Sequence, residues 1–212
     1  ASRFYRRRIK DELAQLVYFR AKGKGYYKRW SDIYHVVLLA HYKDEYPILR
    51  SAVQSCLDAN YPSNKILLVV AIEDREEGDA KFTKFENLKK EFGSYFKDIF
   101  YTLHKDSPGE LKGKSANIKW AGHEIKKYIT KKRIPYDNVI VSAFDGDTRV
   151  SKEYFGALTY QYLVNEERTH RTYQPIPLFN NNIWEVPFIN RIVAFGSSYW
   201  QMIESCCAFR LI

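Results

Sequence analysis

Four apolar runs, each closed by a polar loop, constrain this chain more than any other feature. Tyr34–Ala40, Lys65–Ile72, Ile99–His104 and Asn138–Phe144 are six to eight residues long. That is too short for core helices and right for strands of a sheet covered on both faces. The segments between them change period. "YPILRSAVQSCLDANYP" sets Ile48, Leu49, Ala52, Val53, Cys56 and Leu57 at helical spacing and closes on Asn60 and Pro62. "DAKFTKFENLKKEFGSYF" places Phe82, Phe85, Leu88 and Phe92 on one side of a second helix, and "SPGELKGKSANIKWAGHEIKKYI" leads from a glycine-containing loop into a third. Strand and helix alternate with short connections. The expected class is α/β: a Rossmann-like, mostly parallel sheet with helices on both faces and right-handed crossovers. Ligands on such sheets bind beyond the carboxyl ends of the strands. That points to the loops His41–Glu45, Glu73–Glu76, His104–Ser115 and Asp145–Thr148, all polar.

A chain of 212 residues, 45% hydrophobic and 16% aromatic, can bury the core this pattern needs, as one sizeable domain or two small ones. Neither repeats nor low-complexity tracts break it. The longest apolar stretch, "FINRIVAFGSSYWQMIESCCAF", is interrupted by Arg191, Gln201 and Glu204, so a membrane-spanning helix of about 20 apolar residues is not expected. The basic N-terminus lacks the apolar core of a signal peptide. Cys56, Cys206 and Cys207 form neither a disulfide framework nor a metal-knuckle spacing. They read as core thiols in a reducing, cytoplasmic setting.

The formal charge of +9 is uneven. Residues 1–30 hold ten Arg or Lys against Asp11 and Glu12, and the remaining 182 residues carry a net +1. A basic lead-in, residues 1–33, is compatible with a solvated, partly helical segment. It equally suits the anionic cytoplasmic face of a membrane, where each Lys or Arg contributes about 1 kcal/mol. A nearly neutral body without a basic stripe argues against nucleic acid as a partner.

The chemistry concentrates where the fourth run ends in "FDGDTRV". Residues two apart in an extended chain point to one side, about 6.6 Å apart, and a bend at Gly146 turns Asp145 and Asp147 toward one cation. Hard oxygen donors suit Mg²⁺ or Mn²⁺, which complete their shells with water and phosphate oxygens. A lone Asp-Gly-Asp is commonly a solvated turn; its place at a strand exit favours the metal. In "GELKGKSAN", Gly109 and Gly113 let backbone N–H groups approach an anion, a helix start favours negative charge, and Lys114 supplies a cation. Its Gly-to-Gly spacing is one residue short of a Walker loop. The acids closing the first two runs, Asp44 with Glu45 and Glu73 with Asp74, are solvated loop charges or acceptors for ribose hydroxyls and base N–H groups.

Taken together in this order, the residues resemble the family-2 glycosyltransferases, which have a GT-A nucleotide-diphospho-sugar fold. The likeness runs from Tyr34 to the C-terminus, about 85% of the chain. "VVLLAHYKDE" is similar to the family's first strand and Pro-Thr-Tyr-Asn-Glu loop, with Ala40, His41 and Lys43 replacing Pro, Thr and Asn. "VVAIEDRE" stands at the Asp-Asp pair near the base, "GKSAN" at the Gly-Lys-x-x-x-Asn element beside the diphosphate, and "FDGDTRV" at the metal-binding Asp-x-Asp.

The resemblance implies a nucleotide-sugar-binding half over residues 34–150 and the start of an acceptor half over residues 151–212. Tyr42, Asp44, Glu73, Asp74, Lys114, Asn117 and Asp145 would bind the donor. Asp145 and Asp147 would hold Mn²⁺ or Mg²⁺. The implied reaction is metal-assisted transfer from a nucleotide diphosphate, by default a UDP-sugar, to a hydroxyl of a carbohydrate or lipid-linked acceptor, with inversion. The family's catalytic acid and its Gln-x-x-Arg-Trp motif are not found before Ile212, so the base is expected further on and the chain reads as a fragment. In the tail, "YQPIPLFNNNIWEVP" offers Asn181, Asn182 and Trp184 as acceptor contacts, since amides bond hydroxyls and aromatic faces stack on sugars; Trp184 is equally explained by core packing. Two alternatives stand beside this reading: a nucleotidyltransferase acting on a sugar phosphate, which would want a glycine-rich loop after the first strand, and a non-catalytic nucleotide-sugar-binding module.

Overall fold

A computed structural model of the chain describes residues 28–75, 78–105, 113–165, 168–178 and 187–206. The chain divides into two compact units, Ala1–Thr169 and His170–Ile212. In the first, four strands form an all-parallel sheet in the order β3-β2-β1-β4: β1 is Tyr34–His41, β2 Ile66–Glu73, β3 Asp98–His104 and β4 Val139–Asp145. Between and after them come α1 (Tyr46–Leu57), α2 (Ala80–Phe92), α3 (Lys114–Lys131) and α4 (Tyr154–Val164). Each expected strand lies within one residue of the observed one at either end.

Helices cover both faces. On one, Val37, Leu39, Leu68, Val70 and Ile72 of the sheet pack with Leu49, Ala52, Val53 and Cys56 of α1, Phe85, Leu88 and Phe92 of α2, and Phe155 of α4. On the other, Val36, Leu38, Leu67, Val69 and Ala71 meet Ala121, Ile125 and Ile129 of α3. Each Val, Leu, Ile or Phe among them contributes roughly 1.5–3 kcal/mol by leaving water. Strand β2 lies between β1 and β3 and is buried along its whole length. Burial also pushes the Cys56 thiol up to about 12, so it stays protonated as a core residue.

Strand β4 departs from the sequence reading of a strand buried on both faces. Ile140, Ser142 and Phe144 are buried while Val141, Ala143 and Asp145 are exposed. Val141 pairs with Val36 and Ala143 with Leu38, so these lie on the face of α3. Helix α3 packs on β3, β2 and β1. β4 therefore alternates as a strand covered on one side only.

Of the lead-in, Lys28 to Ile33 are described. Lys28 is buried, its ammonium bonded to the Asp137 carbonyl (2.7 Å) and paired with the Asp137 carboxylate. Lys28 thus anchors this segment to the foot of β4, and a 3-10 turn at Trp30–Asp32 leads into β1. In the second unit, residues 171–178 are irregular, as Pro175 and Pro177 demand. Pro187 then precedes α5, Phe188–Cys206, suiting a helix start. Phe188, Ile192, Phe195, Tyr199 and Ile203, three and four residues apart, are exposed, while Ser198 is buried. Among the described residues no helix is long and apolar enough to cross a membrane.

Candidate functional site

The chain runs β1, β2, β3 in one direction across the sheet, then returns past β1 to place β4 on its far side. The loops leaving β1 and β4 lead to α1 and α4 on one face of the sheet, and the chain leaving β3 crosses to α3 on the other. A crevice opens at the carboxyl ends of the strands, the position where open parallel sheets bind ligands. The crevice encloses about 330 Å³ and is lined by Ala40, His41, Tyr42 and Asp44 after β1, Glu73 at the end of β2, Lys114 at the start of α3, and Asp145, Gly146 and Asp147 after β4. Register brings the two walls level: Ala40 pairs with Asp145.

Each element presents its residue for a local reason. Gly113 precedes α3 with φ +156°, a conformation that side-chain-bearing residues rarely adopt, and Lys114 follows as the first helical residue. Its ammonium bonds the Asp145 Oδ1 across the crevice. Glu73 is only 6% exposed and its carboxylate accepts from Arg75 Nε at 2.8 Å. The guanidinium of Arg75 lies 5.1 Å from the centre of the Tyr42 ring, and the Lys43 ammonium 5.3 Å. Such cation–ring contacts contribute about 0.5–1 kcal/mol at exposed sites. Asp44 Oδ2 accepts from His41 Nδ1 (3.0 Å) and from the Tyr42 backbone N–H (3.2 Å).

The crevice sets four carboxylates, Asp44, Glu73, Asp145 and Asp147, against Lys114 and the Glu73-bound Arg75. Asp145 and Asp147 are both exposed on its lining. Among the described residues no three His, Cys, Asp or Glu side chains gather into a metal cage. Two hard carboxylates suit Mg²⁺ or Mn²⁺, ions that one or two carboxylates commonly hold together with water and phosphate. The residues present fit such an ion.

Of the residues singled out in the sequence, Tyr42, Asp44, Glu73, Lys114, Asp145 and Asp147 meet here. Asp74 points elsewhere: its carboxylate lies 3.6 Å from the buried ammonium of Lys81, which also donates to the Asp74 carbonyl. Asn117 is buried against the sheet, where its Nδ2 donates to the Ala71 carbonyl at 2.9 Å. Asn181, Asn182 and Trp184 lie outside the described residues. Two residues that sequence reasoning did not select are part of the arrangement: His41, visible in sequence only as a histidine three residues before Asp44, and Arg75, two residues after Glu73.

An all-parallel, Rossmann-like α/β sheet with a polar crevice at its switch point is the class that fold and site define. No family model, curated protein or solved structure matches the chain.

Proposed function

We propose that the chain binds a nucleotide-diphosphate sugar, by default a UDP-sugar, and serves metal-assisted transfer of the sugar to the hydroxyl of a carbohydrate or lipid-linked acceptor, in the manner of a GT-A glycosyltransferase of family 2. One observation carries this reading: Asp145, Asp147 and Lys114 come together from a strand end and a helix start at the switch point of a parallel sheet. That combination answers the needs of a diphosphate.

Mn²⁺ or Mg²⁺, held by Asp145 and Asp147, would offset charge developing on the departing diphosphate. The chain's own residues do the rest. Lys114 sets a cation beside the phosphates, and the start of the 18-residue α3 favours an anion there through the helix dipole. The Tyr42 ring offers a stacking face, while Asp44 and Glu73 accept from ribose or base donors. Asn181, Asn182 and Trp184 are assigned to the acceptor, and the basic segment ahead of β1 to an anionic membrane surface.

Calorimetry with UDP and Mn²⁺ on the 212-residue chain tests the assignment. Wild type is expected to bind UDP only with Mn²⁺ present, and Asp145→Ala and Asp147→Ala to bind about ten-fold more weakly or worse, a loss of about 1.4 kcal/mol. Equal affinity in all three removes the metal from those carboxylates. Failure of the wild type to bind UDP removes the function.

A further inference from the structure

One carboxylate oxygen joins the two walls of the crevice. Asp44 Oδ2, held by His41 Nδ1 and the Tyr42 N–H, also lies beside the turn after β4. A Cβ built on Gly146 would stand 2.6 Å from that oxygen and 3.1 Å from Leu49 Cδ2. A side chain at Gly146 would therefore force the Asp44 carboxylate out of its place between His41 and the Tyr42 N–H, so the backbone between Asp145 and Asp147 and the β1–α1 loop meet at this carboxylate.

The loop is shaped for this contact. Lys43 has φ +62°, a left-handed conformation that costs a non-glycine residue about 1 kcal/mol or more. It turns the chain back so that Asp44 faces the N–H two residues earlier. His41 is the last residue of β1, only 1% exposed, and it pairs with Ile72 of β2. Its ring is fixed by the core. A carboxylate accepts, so Nδ1 donates the proton of the bond, and the rigid ring dictates where Oδ2 lies.

We propose that His41 is a positioning residue: through Asp44 it couples the Tyr42 side of the crevice to the Asp145–Gly146–Asp147 turn, so that a nucleoside on one wall and a divalent cation on the other strengthen each other's binding. The inference rests on the nucleotide-sugar reading and adds a coupling inside the protein that needs no phosphate to bridge the two ligands. A ligand that settles the Tyr42 loop fixes Asp44, and Asp44 in turn fixes the peptides carrying the two metal carboxylates. The reverse follows by linkage.

The probe is uridine, which has no phosphate with which to touch the metal. Calorimetry measures its affinity for the full chain with and without saturating Mn²⁺, and the Mn²⁺ affinity with and without saturating uridine. Each ligand is expected to tighten the other by the same factor, about five-fold or more. His41→Ala and Gly146→Ala are expected to bring the factor to one. His41→Asn, whose amide N–H can stand near the position of Nδ1–H, should restore most of it. Gly146→Ala leaves the buried end of β1 untouched, so it carries the test if His41→Ala melts early by circular dichroism. A wild-type factor of one overturns the coupling while leaving the binding function intact, as does a full factor in both Gly146→Ala and a folded His41→Ala. If wild type binds neither uridine nor Mn²⁺, the nucleotide-sugar reading falls and the coupling with it.

Discussion

Lys114 and Asp145 form an ion pair across the mouth of the crevice, linking the first residue of α3 to the last of β4. Both side chains are largely exposed, at 48% and 63%. Water screens such a pair, which contributes about 0–1 kcal/mol, so it opens easily. A divalent ion bound as proposed would compete with this ammonium for one carboxylate. Lys114→Ala is expected to tighten Mn²⁺ binding in the absence of nucleotide by about two- to five-fold, the release of that pair. The same substitution is expected to weaken UDP binding in the presence of Mn²⁺ by about ten-fold, through loss of a charge-assisted contact of about 1.5 kcal/mol. Lys114→Arg keeps the charge and should lie near wild type in both titrations. Parallel changes in the two affinities would rule out competition at Asp145.

Tyr42 stands 43% exposed at the crevice, with Arg75 and Lys43 against its ring. An exposed aromatic costs little to stack and gains on contact with a base. Tyr42→Ala is expected to lose about 1–3 kcal/mol of uridine affinity, whereas Tyr42→Phe keeps the face and most of the binding. Titration monitored by calorimetry separates the two. Equal loss in both variants would assign Tyr42 a role through its hydroxyl instead.

How much of this was legible in sequence depended on whether a residue's task was local. The four strands follow from short apolar runs, and the crevice follows from their polar exits, because strand length and alternation are properties of neighbours along the chain. Lys114 and Asp145 were each readable from their own motifs, but their pairing spans 31 residues and needed the sheet. Gly146 shows the limit well. In sequence it reads as a bend, yet Gly146 does not need a positive φ; what a side chain there would displace is the carboxylate of Asp44, about one hundred residues earlier. The apolar residues of β4 read as a strand buried on both faces, and no local pattern reveals that α3 packs on β1, β2 and β3 instead.

Asn117 illustrates the same distinction from the other side, because a motif position that the resemblance puts beside a diphosphate is a buried joint in the structure. Its Nδ2 donates to the Ala71 carbonyl, and its Oδ1 has no hydrogen-bond partner among the described residues. Removing the amide leaves a small cavity between α3 and β2 and one carbonyl without its donor. Asn117→Ala is expected to lower stability by about 1–3 kcal/mol in urea unfolding, with UDP affinity in the folded protein changed less than by Lys114→Ala. A large loss of affinity at unchanged stability would return Asn117 to the ligand.

His35 sits at the centre of the core, fully buried, with the Tyr61 ring 4.7 Å and the Phe155 ring 4.9 Å from it and Nε2 bonded to Thr159 Oγ1 at 2.8 Å. Desolvation lowers its pKa to about 3 from an ordinary 6.5. In the folded chain the ring is therefore neutral down to about pH 3, while the unfolded chain takes up a proton below about 6.5. Between those values the unfolded state holds one proton more, so stability falls as pH drops, by up to about 1.4 kcal/mol per pH unit. Above 6.5 the contribution is complete. Urea unfolding at pH 7.5, 6.5, 5.5 and 4.5 reads this slope directly. His35→Phe keeps the ring contacts and forfeits the Thr159 bond, so it should be less stable than wild type at pH 7.5. Its stability should then decline more gently below pH 6.5, by the equivalent of one proton. Identical slopes in the two chains would mean that His35 is charged, or reached by water, in the folded core.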